Sequence, residues 1–177
     1  MIRLTTAIAV LGILLGLIGA PAAAQADFGI EPGSLSTTFE TSKGVTGVPQ
    51  AASHPYGFTI NFTMNGSESG VPEGGQVRNI LINLPAGFAG NPFAVGRCTR
   101  QEFEGTTPRC SPNSQVGVLS ANLEGIAGLV SGPIYNMVPP QGVPAQLGFS
   151  ADGLNALQQI SVKTGEGLGA EAFLSLS

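Results

Sequence analysis

The stretch "YGFTINFTMN", Tyr56 to Asn65, alternates strictly between apolar and polar side chains: Phe58, Ile60, Phe62 and Met64 against Thr59, Asn61, Thr63 and Asn65. A repeat of two describes a half-buried β-strand with one apolar and one wetted face. The polar turn "GSESG" at Gly66 to Gly70 follows it. In "VRNILINLPAGF" the pattern returns, with Ile80, Ile82 and Leu84 on one side and Leu81 on the other, until Pro85 and Gly87 stop it. "SQVGVLSANL", "GPIYNMVPP" and "AQLGFSA" are apolar runs of similar length, separated by some of the chain's 26 glycines and 13 prolines. "LQQISVKTGEGLGAEAFLSLS" reads as a hairpin: Ile160 and Val162 lie on one arm and Phe173, Leu174 and Leu176 on the other. Gly165, Gly167 and Gly169 make its turn. "FGIEPGSLSTTFE" supplies an opening strand interrupted at Pro32. "GLNALQQI" around Leu154 reads equally well as a helical turn or as the approach to a strand. Roughly seven strands, without a long amphipathic helix, predict an all-β fold: an antiparallel β-sandwich, Ig-like or jelly-roll-like.

The N-terminus is of another kind. Arg3 precedes a charge-free apolar run from Ala7 to Gly19, Pro21 breaks it, and "PAAAQAD" offers small residues at Ala24 and Ala26. This is the pattern of a signal-peptide helix over 1–26, with cleavage between Ala26 and Asp27. An uncleaved anchor is the alternative, and the run falls short of the ~20 residues a spanning helix needs. The expected product is a secreted or cell-surface chain, free of the membrane after cleavage. Residues 27–177 are long enough for one β-sandwich domain with a real core. Cleavage removes Arg3 and no acid, leaving six Lys and Arg against eleven Asp and Glu, a net charge of −5. That balance argues against nucleic acid, which calls for a basic footprint; Arg97, Arg100 and Arg109 are the only local cluster of positive charge.

Cys98 and Cys110, the only cysteines, have eleven residues between them in "CTRQEFEGTTPRC". In an oxidising compartment they are most economically paired as a disulfide. Structural zinc wants four ligands, and the single histidine, His54, is remote. A nucleophilic cysteine would have only His54 as its base. Inside the loop, Thr99 followed by Glu102 fits a capping box. A short helical turn is therefore predicted over Thr99 to Phe103 with Phe103 pointing inward, pinned by the bridge to a strand beginning near Ser114.

"INLPAGFAGNPFAVGRCTRQEF", followed by "CSPNSQVGV" and "IYNMVPPQGVPAQLGF", resembles a family of large exported actinobacterial proteins of unassigned activity. In that family a Leu-Pro-x-Gly turn leads to Gly-Asn-Pro, a Cys-Thr pair, a second cysteine, a Gln-Val-Gly strand and a Tyr-Asn-x-Val-Pro-Pro segment. "GVPQAASHPYGFTINFTMN" is similar to its Ala-x-x-His-Pro segment. The resemblance spans Phe28 to about Ser150 and implies export, a disulfide between the two cysteines and a β-rich domain near the mature N-terminus. It implies no catalytic residue. Its members look longer, so the domain over 27–177 is expected to be cut short at its C-terminus, the alternative being a gene that ends there.

Catalytic constellations are hard to assemble from these residues. A serine hydrolase needs a base, and His54 sits in "SHPYG", where Pro55 holds it extended. Glu102 and Glu104 lie in the cysteine loop, while Glu68, Glu73, Asp152 and Glu166 occupy turn-like surroundings. "GEGLG" at 165–169 lacks the spacing of a nucleotide-binding loop. No metal or cofactor is expected. Glycan binding is the stronger rival to a purely structural role. It would use Tyr56 or Tyr135 as a stacking platform with Asn61, Asn65 or Asn136 as amide partners, since most of the nine phenylalanines are assigned to strand cores. Asn61-Phe62-Thr63 and Asn65-Gly66-Ser67 match the glycosylation acceptor pattern by chance. The reading is a non-catalytic exported domain in structural or adhesive contact with an unknown protein or glycan at the cell surface. A glycan-binding module is the alternative, and a hydrolase with a carboxylate pair at the sandwich rim comes third.

Overall fold

The structure, a computed structural model, describes residues 28–66, 77–84, 87–122, 129–163 and 169–175. The signal-peptide helix expected over 1–26, the Ala26/Asp27 cleavage point, Ser67 to Gly70 of the first polar turn, and Gly165 and Gly167 of the last turn lie outside these residues. The chain divides into two compact units between Gly66 and Ser67. Both are built from antiparallel sheets, so the fold is all-β.

In the first unit, β1 (Ser36–Ser42), β2 (Val45–Thr46) and β3 (Gly57–Asn61) form a sheet in the order β2-β1-β3. The predicted alternation sets the register: Phe39 faces Phe58 and Thr37 faces Ile60, while Thr38 faces Thr59 on the other side. The two phenylalanine rings stack with centroids 4.8 Å apart, a cross-strand aromatic pair of the kind that stabilises a sheet. Two expectations need correction. The opening strand starts at Ser36, beyond Pro32 and a turn in which Gly33 takes φ 82°. β3 ends at Asn61 rather than running to Asn65, because the backbone changes partner: Glu31 N–H donates to Thr63 O at 2.8 Å and Thr63 N–H to Ser34 Oγ at 3.0 Å. Met64 keeps only an isolated bridge to Ile30.

The second unit contains β4 (Asn79–Asn83), the one-turn helix α1 (Arg100–Phe103), a 3-10 turn (Pro112–Ser114), β5 (Gln115–Asn122), β6 (Leu129–Met137), β7 (Ala145–Ala151), β8 (Leu154–Lys163) and β9 (Gly169–Ser175). Its sheet runs β4-β9-β8-β7-β6-β5. Strands β5 to β9 are thus a meander of successive neighbours, and β4 adds itself beyond β9. The last strand is bonded on both sides. "GLNALQQI" resolves as strand. Asp152 and Gly153 form the two-residue loop between Ala151 and Leu154, with φ 48° and 81°. Positive φ at both positions defines the type I′ hairpin turn, whose twist matches that of the strands.

β6 is the sheet's irregular member. It pairs with β5 from Leu129 to Tyr135 but with β7 only from Ile134 onward. Pro133, which has no N–H to give, stands where the ladder to β7 ends, a position that tolerates it. The first half of β6 and the second half of β5 therefore form a two-stranded ribbon. Gly132 anchors it: a Cβ there would lie 1.7 Å from the Ser150 carbonyl oxygen.

The best-buried cluster is Cys98, Phe103 and Met137, each 1% exposed, with Cys110, Tyr135 and Leu157 packed against it. Register places Tyr135, Gly148 and Leu157 in one row across three strands. Gly148 leaves the gap into which the Phe103 ring fits, since a Cβ would come within 2.9 Å of Phe103 Cε2 and 2.8 Å of Met137 Sδ. Phe103 is buried from α1, as its place in the predicted helical turn requires, but the assignment of most other phenylalanines to strand cores needs correction: Phe28, Phe62, Phe93 and Phe173 are exposed. A strand phenylalanine is buried only where something covers its face.

Candidate functional site

Cys98 and Cys110 form the disulfide, with Cα atoms 5.2 Å apart. Local chemistry prepares it. Thr99 is the N-cap of α1, and Glu102 N–H donates to Thr99 Oγ1 at 3.3 Å. In return Thr99 N–H and Oγ1–H donate to Glu102 Oε2 at 2.9 and 2.7 Å. The predicted capping box is complete, and it turns Phe103 onto the sheet. The backbone hydrogen bond from Thr99, then that from its hydroxyl, hold the Glu102 carboxyl below the usual carboxylate range; burial opposes them and the Arg109 charge adds a smaller push downward.

The loop is tied to the sheet at its start and near its middle. Cys98 N–H donates to Asn136 O, and Val138 N–H to Cys98 O, each at 2.8 Å, so Cys98 extends the sheet beside the end of β6. Asn155 Nδ2 donates to Gly105 O at 2.7 Å. The bridge, the cap and these ties make a clasp over one end of the β6-β7-β8 surface.

The candidate ligand residues have separate fates. Tyr135 is half-buried, its ring set edge-on to Phe103 at 6.3 Å between centroids. Asn136 is 4% exposed, and its side-chain amide donates to Pro92 O at 2.9 Å and Gly96 O at 3.1 Å, holding the loop ahead of Cys98. Being adjacent on a strand, the two side chains point to opposite faces. Tyr56 lies in the first unit and is 63% exposed. Asn65 Oδ1 accepts from Gly29 N–H at 2.7 Å, and Asn61 is exposed. His54 is exposed as well. Glu104 accepts from Arg100 Nε, and Glu40 from Gly44 N–H at 3.2 Å. Asp152 is a turn residue, while Glu68, Glu73 and Glu166 lie outside the described residues. Among the described residues no three His, Cys, Asp or Glu side chains are grouped as metal ligands.

A different surface stands out, one the sequence reading did not single out. Along β5 and the ribbon, Val116, Val118, Leu119 and Leu129 are 46, 62, 38 and 64% exposed. β5, β6 and β7 carry no charged residue. β5 is an edge, with no strand on its outer side among the described residues. The signal was present in the uncharged "QVGVLSAN" but looked the same as a core strand, because only pairing tells an edge from a centre.

Comparison of the chain with protein-family models, with curated proteins and with solved structures returns no match in any of the three. What bears on compartment is therefore the chain itself. A disulfide is the mark of an oxidising environment, and no helix among the described residues is long and apolar enough to cross a membrane.

Proposed function

We propose that this chain is an exported, non-catalytic β protein whose role is structural or adhesive contact at the cell surface or outside the cell, of a kind with the exported actinobacterial proteins it resembles. The observation that carries the reading is the exposed, uncharged apolar edge along β5. Val118 and Leu129 share one face of this edge and Leu119 lies on the other, and natural proteins seldom leave an edge so unprotected unless it serves an interaction. The disulfide and the pattern over 1–26 support export. The described carboxylates with a hydrogen-bond partner, Glu40, Glu102 and Glu104, are occupied in local turns and caps, which favours contact over hydrolysis. The 63% exposure of Tyr56 keeps glycan binding as a second reading, now narrowed to that ring because Tyr135 and Asn136 are engaged in the fold.

The test is fractionation of producing cells with N-terminal sequencing, followed by adhesion of protein-coated beads to those cells. The reading expects protein at the surface or in the medium, starting at Asp27, and beads that adhere. Beads that stay free, or purified protein that cleaves cell-wall glycan, would refute it. Adhesion lost in Tyr56→Ala alone would transfer support to the glycan reading.

A further inference from the structure

We infer that β5 is a self-association edge, at which a second copy of this chain adds its own β5 antiparallel across a two-fold axis; this deepens the contact reading and rests on it. Three observations lead there.

The first is the ribbon. From Val118 to Asn122 and Leu129 to Pro133, β5 and β6 are paired with each other and not with β7. The ribbon is anchored on its inner side, with Val130 buried and Gly132 against Ser150, but it has only two strands, and a third on the outer side of β5 would add stability to it. The second is the absence of edge protection. Natural edges are blunted by lysine, proline or inward-pointing charge. β5 has eight residues, none charged and none proline, and its one irregularity falls at the start, between Gln115 and Gly117. The opposite edge, β4, is shorter at five residues, and a charged group reaches its end, Lys163 Nζ donating to Asn83 Oδ1 at 2.7 Å.

The third observation selects the occupant. The chain is anionic, with a net charge of −4 before any cleavage. Two copies repel wherever acids face each other, and like charges opposed across a contact are costly. Within the six-stranded sheet β5, β6 and β7 are three adjacent strands free of charge, so identical surfaces meet at the β5 edge without that cost. Antiparallel pairing about a two-fold brings a strand's own middle opposite itself, an isologous contact. In β5 the middle is Val118, Leu119 and Ser120, with polar Gln115 and Asn122 toward the ends. Apolar groups are thus covered at the centre and amides stay at the rim. Pairing would join the two six-stranded sheets edge to edge.

The exported chain is examined by light scattering and sedimentation over a range of concentrations, without reductant. Expected is a mass twice that of the monomer, falling to the monomer on dilution. Val118→Lys, at an exposed position, should leave the far-UV spectrum and melting unchanged and weaken association by about 100-fold, since it sets two like charges near the axis. Val162→Lys, three strands away and 65% exposed, should change nothing. A monomer at every concentration overturns the inference, as does a dimer broken by Leu81→Lys on β4 but not by Val118→Lys. The two readings fail separately: a monomer that still adheres to cells sinks this inference alone, and a dimer that adheres to nothing sinks the contact reading alone.

Discussion

At the scale of residues, Glu102 gives the clearest pH dependence. Its folded-state carboxyl is held below the usual range by Thr99. Its contribution to stability is therefore complete above the ordinary glutamate range, about 4.3, and disappears as pH falls through the lower folded value. Urea denaturation of the wild type and Glu102→Gln between neutral pH and about pH 3 should show the wild type losing its advantage over the variant on acidification. Phe103→Ala should cost about 3–5 kcal/mol, the range for deleting a buried phenylalanine. Gly148→Ala should cost about 1–3 kcal/mol by overpacking, because its methyl meets Phe103 and Met137; chemical denaturation measures both. Thr99, Glu102 and Phe103 were legible in sequence because a capping box acts over three residues. Asn136 was not, because its partners Pro92 and Gly96 lie some forty residues away, and nothing local distinguishes an amide that holds a loop from one that awaits a ligand.

Among elements, alternation located β4 well: Ile80 and Ile82 are half-buried and Leu81 is 54% exposed, as their parity requires. It misjudged the end of β3, where Thr63 leaves the strand to bond Ser34 and Glu31, a choice made by a distant segment. The β7-β8 turn was readable in principle, since Asp-Gly between apolar runs is a strong hairpin signal. Gly153→Ala should destabilise by about 1–2 kcal/mol, the cost of left-handed backbone for a residue with a Cβ, while Asp152→Asn, which tolerates that conformation, should be close to neutral. Melting temperatures of the two variants check this. The clasp is the element on which the sheet's burial most depends. Replacing both cysteines by serine should cost about 2–4 kcal/mol, measured by denaturation without reductant. An unchanged midpoint would mean that the capping box and the Asn155 tie hold α1 in place unaided.

For the molecule as a whole, all-β architecture was legible because period two and glycine-proline punctuation recur along the chain beyond its N-terminal apolar segment. The division between Gly66 and Ser67 was not, because a polar turn inside a domain and one between units have the same composition. Edge and centre strands were equally indistinguishable, since both read as short apolar runs. Intact-mass analysis with thiol alkylation, applied to protein recovered from outside the cell, should find no free thiol and a chain beginning at Asp27.

The Phe103–Tyr135 packing has one practical consequence. The chain has no tryptophan and just two tyrosines, of which Tyr56 stands in solvent while Tyr135 is fixed against Phe103 beside the cystine. At the long-wavelength end of the near ultraviolet, beyond the phenylalanine bands, dichroism should thus come almost wholly from one ring and one sulfur bridge. The molecule carries its own optical gauge of whether that corner is closed, and no dye need be attached to read it.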